Sequence, residues 1–252
     1  MEQFKIEIAG LVAQIAPLFE STKAYCQKYL SNHEADCFIS VTEADLRFEQ
    51  EMLDIEAREE GMKLRKFTPP FLERAAIQRK IAEALLQSDT LLLHGSTVAV
   101  DGKAYLFTAA CGTGKSTHTR FWREVFGDRA VMINDDKTFL QFTEEGIIAY
   151  GSPWSGKHGL DTRISAPLKG ICILHRGKEN VIQKICAEKA LPMLHHQSYV
   201  SADERSRQNV FALAERLSRS VPLWSMECTK EQDAATVAFG AMSAEDCENR
   251  NE

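Results

Sequence analysis

Ala109-Ala110-Cys111-Gly112-Thr113-Gly114-Lys115-Ser116-Thr117 is the stretch that decides how the rest of the chain is read. It follows the phosphate-binding (Walker A) pattern G-x-x-x-x-G-K-[ST], with alanine in place of the first glycine. Each part has a physical task. Gly112 and Gly114 let the backbone curl so that successive N–H groups point at anionic oxygens. Lys115 brings a compact positive charge to the β- and γ-phosphates, and the Ser116 hydroxyl suits Mg²⁺. A helix starting at Lys115 adds the positive end of its dipole. The expected ligand is a nucleoside di- or triphosphate, held by Cys111, Gly112, Thr113, Gly114, Lys115, Ser116 and Thr117. An alanine at 109 requires that this position not need positive φ.

The flanks supply the context that such a loop needs. Residues 103–108 form a short, mostly apolar run, read as the strand before the loop. Residues 117–126 contain no Gly or Pro and continue the helix, with Phe121, Trp122 and Val125 clustered for burial. Upstream, 91–100 reads as one strand and Asp101-Gly102 as a tight hairpin. Downstream, 130–133 reads as a strand ending in Asn134-Asp135-Asp136, and 138–142 and 146–150 as a further hairpin. Residues 151–167 read as a polar loop, 168–175 as a buried strand, and 181–185 and 223–226 as short strands. Helices are expected near 188–195, 208–219 and 231–242. Before residue 88 the pattern predicts strands around Phe4-Ile8 and Cys37-Val41, and helices over 43–60 and 71–86, parted by Pro69-Pro70.

With 252 residues, the chain has room for one large domain, or a compact domain with a smaller addition. We divide it into an α+β segment at 1–88, a core at 89–244 and a polar, disordered tail at 245–252. A 44% apolar and 26% charged composition is that of an ordinary soluble globular protein. The net charge of −6 argues against a general nucleic-acid binder. No membrane-length apolar run or signal-peptide pattern is present, and seven scattered cysteines without a C-x-x-C pair read as reduced thiols. A cytoplasmic location is expected.

Phosphoryl transfer also needs a carboxylate for the metal and a group to activate the nucleophile. Asp135 and Asp136 close the next predicted strand after the loop. Adjacent side chains on an extended chain point in different directions. One can therefore hold Mg²⁺ while the other accepts a hydroxyl proton. We assign Asp135 as base and Asp136, with Ser116, as metal group; the reverse assignment is open on sequence grounds. His94 falls near the open end of a hairpin, where it either packs or steadies transferred phosphate. His118, Arg120 and His195-His196 read as structural. The segment 151–159, containing Trp154, Gly156, Lys157 and His158, reads either as a surface loop or as a closing segment with Lys157 stabilising transferring charge.

The order His94-Gly95-Ser96, Asp101-Gly102-Lys103, Gly114-Lys115-Ser116-Thr117-His118-Thr119, Asn134-Asp135-Asp136-Lys137 and Pro153-Trp154-Ser155-Gly156-Lys157 resembles the HPr kinase/phosphorylase C-terminal domain. It is most similar to stand-alone bacterial HPr-kinase-like proteins, some of which phosphorylate serine, free or in a peptide. The loop also looks like that of ATP-dependent phosphoenolpyruvate carboxykinase. The resemblance covers residues 91–175 best. It implies an α/β, phosphoenolpyruvate-carboxykinase-like P-loop fold with a mixed sheet and flanking helices, using ATP and Mg²⁺. It implies His94, Lys115, Ser116, Asp135 and Asp136 as site residues. The glycine-rich signature that follows the core in HPr kinase is missing, so HPr is not the expected acceptor. The leading expectation is a kinase acting on a hydroxyl-bearing acceptor, such as serine in a peptide, protein or free amino acid. The alternatives are a non-catalytic nucleotide-binding regulator and, ranked lower, a carboxykinase-type enzyme. The oligomeric state is left open.

Overall fold

The structure is a computed structural model and describes residues 1–59, 61–199 and 203–244. The expected disordered tail at 245–252 lies outside the described residues. The chain divides into two compact units, Met1–Gln87 and Ser88–Glu252.

In the first unit, strands β1 (Phe4–Ile8), β2 (Leu11–Ala16) and β3 (Cys37–Ser40) form a sheet in that order. Alternate residues Phe4, Ile6 and Ile8 are buried, as the sequence pattern predicts. The sequence reading missed β2. Its hairpin turn is Ala9-Gly10, with φ of 49° and 80°, and an alanine at positive φ is no turn signal. Helices α1 (Ser21–Tyr25), α2 (Glu43–Glu59) and α3 (Pro69–Leu85) complete the unit. Prolines in the first turn of α3 need no donor there, and Leu72, Ala76, Ile77, Ile81 and Leu85 form its buried stripe. Helix α2 buries only Glu49 and Ala57. It is tied to α3 by Arg79, which bonds Asp45 at 2.8 Å and Glu49 at 2.6 Å. That ion-pair seam explains why its apolar residues do not describe one face.

The second unit is mixed α/β. Its strands are β4 (Thr90–His94), β5 (Ser96–Val100), β6 (Lys103–Thr108), β7 (Ala130–Asn134), β8 (Lys137–Thr143), β9 (Gly146–Tyr150), β10 (Ser165–Arg176), β11 (Val181–Lys184) and β12 (Leu223–Cys228). The sheet runs β4-β8-β9-β10-β6-β5-β7, with β12 on β10 and β11 on β12. Pairs β6–β10 and β10–β12 are parallel, and the other pairs are antiparallel. The single strand expected over 91–100 is two strands broken at Gly95. A Cβ there would meet Leu106 Cδ2 at 2.8 Å and the Phe107 carbonyl at 3.1 Å, and its N–H bonds the Asp136 carbonyl at 2.9 Å. The chain therefore leaves one pairing at residue 94 and enters another at 96. The Asp101-Gly102 turn has φ of 51° and 76°, as a two-residue hairpin of right-twisted strands requires. Strand β10 begins three residues earlier than expected, at Ser165, and shortens the predicted loop.

Helices α4 (Lys115–Phe126) and α7 (Asp233–Ser243) pack together, with Trp122 fully buried among Tyr105, Phe107, Phe126 and Phe239. Helices α5 (Ala187–Gln197) and α6 (Glu204–Ser220) pair with each other and contact β4; Asp203 caps α6 by accepting the Ser206 N–H at 2.8 Å. Among the described residues, no helix is long and apolar enough to cross a membrane, and every cysteine is a thiol.

Candidate functional site

Strand pairing brings the predicted residues to one edge of the sheet. Thr108 at the end of β6 lies opposite Ile173 of parallel β10, and Ser96 at the start of β5 lies opposite Phe107. Asn134 at the end of β7 lies opposite Thr97. Arg176 ends β10 opposite Cys228 at the end of β12. The edge therefore presents, in spatial order, the ends of β12, β10 and β6, the start of β5 and the end of β7. Strand carboxyl ends of this kind are where open α/β sheets take their ligands.

The loop from 109 to 114 leaves β6 and enters α4. Gly112 and Gly114 adopt φ of 71° and 124°, and a Cβ at either would meet nothing within 4 Å. Glycine is required there by backbone conformation, not by space. Ala109 is not among the positive-φ residues, and its methyl belongs to the core cluster containing Phe107, Trp122 and Cys172. The side chain that breaks the motif is thus compatible with the loop. Lys115 is buried, and its Nζ donates to the Ala109 carbonyl at 3.0 Å. Arg176 donates through Nη2 to the Gly112 carbonyl at 2.5 Å, which fixes that carbonyl on the β10 side. Cys111 is exposed at the tip.

The two aspartates are set by Asn134. Its Oδ1 accepts the N–H groups of Asp136 at 2.8 Å and Lys137 at 2.7 Å, while its Nδ2 donates to the Ser152 carbonyl at 2.8 Å. Asp135 is buried and accepts the Ser96 hydroxyl at 2.7 Å; Ser96 in turn shares a hydrogen bond of 2.7 Å with Thr119 of α4. The Ser116 hydroxyl also acts on this carboxylate, favouring its charged form. Burial pushes the Asp135 carboxyl above the ordinary range, against the Ser96 and Ser116 hydroxyls and the charge of His158. Asp136 ends the other way. Burial raises it too, but the His94 hydrogen bond and the charges of Lys137, His94 and Lys115 outweigh burial and hold it low. His94 Nε2 donates to Asp136 Oδ1 at 3.0 Å. Burial first, and Lys137 second, lower its pKa to about 4 in spite of Asp136, so the ring is neutral at pH 7.

The structure therefore brings together Lys115, Ser116, Asp135, Asp136 and His94 at one site. Lys157 is different. It lies exposed on the one-turn segment Gly156–His158, and that segment reaches the aspartates through other residues. A Cβ on Gly156, at φ 66°, would sit 3.3 Å from Asp136 Cβ, and His158 acts on Asp135 through its charge. Trp154 is buried and offers no open aromatic face. His118 is buried too, with the Phe107 ring tilted against it at a centroid distance of 4.5 Å and the Trp122 indole N–H donated to its Nε2 at 3.0 Å. It fits the structural role that the sequence suggests. Sequence reading assigned no role to Ser96, Asn134 or Arg176. The first lies inside a recognised cluster, but Arg176 is 64 positions from Gly112, and no local pattern predicts their bond.

Among the described residues, no group of three or more His, Cys, Asp and Glu side chains forms a self-sufficient metal cage. That is compatible with Mg²⁺, which keeps waters and takes one or two carboxylates plus substrate phosphates. Comparison with curated proteins finds no match. Among solved structures, the HPr(Ser) kinase/phosphatase from Coxiella burnetii aligns with 64% of this chain and 99% of its own, at 9% identity and a TM-score of 0.38. A family model described as SynChlorMet cassette protein ScmC matches residues 71–232, a span that contains the whole loop, both aspartates and His94, and the chain belongs to the ScmC family.

Proposed function

We propose that this chain is an ATP- and Mg²⁺-dependent kinase of the phosphoenolpyruvate-carboxykinase-like P-loop class, acting on a hydroxyl such as that of serine in a peptide, a protein or the free amino acid. The observation that carries the reading is the meeting of the loop and the strand end: Asp135 accepts the Ser96 hydroxyl of β5, which is shared with Thr119 on the helix after the loop, and Ser116 of the loop acts on the same carboxylate. Lys115 and the loop amides would hold the polyphosphate. Bound Mg²⁺ would neutralise charge on the phosphates, with Ser116 and Asp136 as its protein ligands. Asp136 suits that role because its surroundings keep it ionised. Asp135 suits the base, because its raised pKa brings it nearer the pH at which it must accept a proton. His94 acts through Asp136, orienting the carboxylate and remaining neutral. The action of Ser116 on Asp135 favours a second reading, in which Asp135 joins Ser116 at the metal and Asp136 is the base.

The deciding experiment measures ATP binding and phosphate transfer to a panel of hydroxyl acceptors, with mass spectrometry of the product. Lys115→Ala should lose both. Asp135→Asn should retain ATP binding and lower transfer by about 10²–10⁴-fold. Full transfer by Asp135→Asn would assign the base elsewhere, and ATP binding without turnover by the unaltered protein would leave a nucleotide-binding regulator.

A further inference from the structure

One cleft in the second unit lies beside the residues considered so far and shares Arg176 with them. It has a volume of about 590 Å³ and is lined by Arg176, Gly177, Lys178, Glu179, Val181 and Glu227. This is within the range of small-molecule sites, about 300–1,000 Å³. Arg176 belongs both to the cleft and, through its bond to the Gly112 carbonyl, to the phosphate loop. Arg176 therefore links the cleft to the loop on the β10–β12 side.

We infer that this cleft receives the nucleoside part of the bound nucleotide. The inference rests on the reading of 109–117 as a phosphate loop, and it adds the direction in which the nucleotide lies. Lys115 and Ser116 serve the β/γ end of a polyphosphate. Ser116 acts on Asp135 at the end of β7, so the terminal phosphate points along the sheet edge toward β5 and β7. The nucleoside end leaves in the opposite direction, across β6 toward the ends of β10 and β12. That is where the cleft opens.

The local chemistry suits a nucleobase. Val181 and Glu227 are direct cross-strand partners on β11 and β12, so their side chains stand on the same face. Val181 gives an apolar surface that is 54% exposed. Glu227 gives a carboxylate that can accept from an exocyclic amino group. Gly177 lets this carboxylate in, because a Cβ there would lie 2.8 Å from Glu227 Cβ. The Gly177 N–H also bonds the Cys228 carbonyl at 3.0 Å, which holds the turn after β10 against β12. Arg176 stands at the junction, where a guanidinium can meet the phosphate nearest the ribose.

The test compares ATP with inorganic tripolyphosphate, both with Mg²⁺, by calorimetric titration of the full chain. Two variants are used, Val181→Trp to fill the cleft and Glu227→Ala to remove its carboxylate. Both should bind ATP about tenfold or more weakly while holding tripolyphosphate within about twofold of the unaltered protein. Retained tripolyphosphate binding also reports that the variants are folded. Unchanged ATP affinity in both variants would overturn the cleft assignment and leave the phosphate loop standing. Equal weakening for ATP and tripolyphosphate would also overturn it, since the cleft would then act on phosphate alone. Failure of the unaltered protein to bind either compound would remove the loop reading itself, and the cleft assignment with it.

Discussion

The two units each hold a pair of carboxylates, one buried and one half-buried, and the pairs titrate alike but are built differently. In the first unit, Glu49 is pushed up by burial, while Asp45 is held at about 2 by bonds and charge from Thr42 and Lys80 that overcome its own burial. In the second, Asp135 is raised and Asp136 lowered. A split of pKa values therefore does not by itself mark a functional site. The partners of the two pairs differ. Asp45 and Glu49 are bonded by Arg79, and Asp45 also by Lys80, with the guanidinium lying over Phe48. These are fixed cations in an ion-pair seam between two helices. Asp135 is instead met by hydroxyls, those of Ser96 and Ser116, and hydroxyls can trade a carboxylate for a metal ion or a substrate.

The largest effect that would sharpen this contrast is expected at the seam. Arg79→Ala leaves the buried Glu49 without its cation, while Asp45 keeps Lys80, and should lower the stability of the first unit by about 1–3 kcal/mol, read by denaturant unfolding. Nucleotide affinity per folded molecule should hardly change. A loss of ATP binding in a folded Arg79→Ala protein would break the division between a structural and a functional pair. Asp135→Asn should act in the opposite direction on stability. A carboxyl whose folded pKa is raised contributes stability that is complete below its ordinary value of 3.8 and is lost as pH rises through the folded value. At pH 7 the variant should therefore melt higher than the unaltered protein, and the gap should close as pH approaches 4. An unchanged melting temperature at pH 7 would mean that the hydroxyls fully offset burial.

The smallest effect is a broad acid transition. His118 is depressed to about 4 by burial, so its contribution to stability is present above its ordinary 6.5 and is lost as pH falls toward 4. Thermal melts of the second unit should weaken through that window, and replacement of His118 by Gln should flatten the slope. A slope of the same size in His118→Gln would place the transition at His94 instead.

Much of the second unit was legible because its signals are local. A tight turn at Asp101-Gly102, paired glycines before a lysine, and an asparagine ahead of two aspartates each state their geometry within a few residues. The contacts that complete the site are not local. The pairing of His94 with Asp136 depends on the chain changing partners between β4 and β5 at Gly95, and the need for glycine there comes from Leu106 and Phe107 on a neighbouring strand. The role of Lys157 was legible only as a charge in a loop; the fold presents Gly156 and His158 to the aspartates instead. In the first unit, α2 is held by charge, so apolar periodicity gave only its extent.

The alanine at 109 bears on how such motifs drift. Its backbone needs no glycine, and its methyl is part of the core. Restoring the consensus glycine would strip a packed group and loosen the unfolded chain, at a cost of about 0.4–1 kcal/mol, with no conformational return. A search that insists on the full consensus would pass over loops with this backbone geometry.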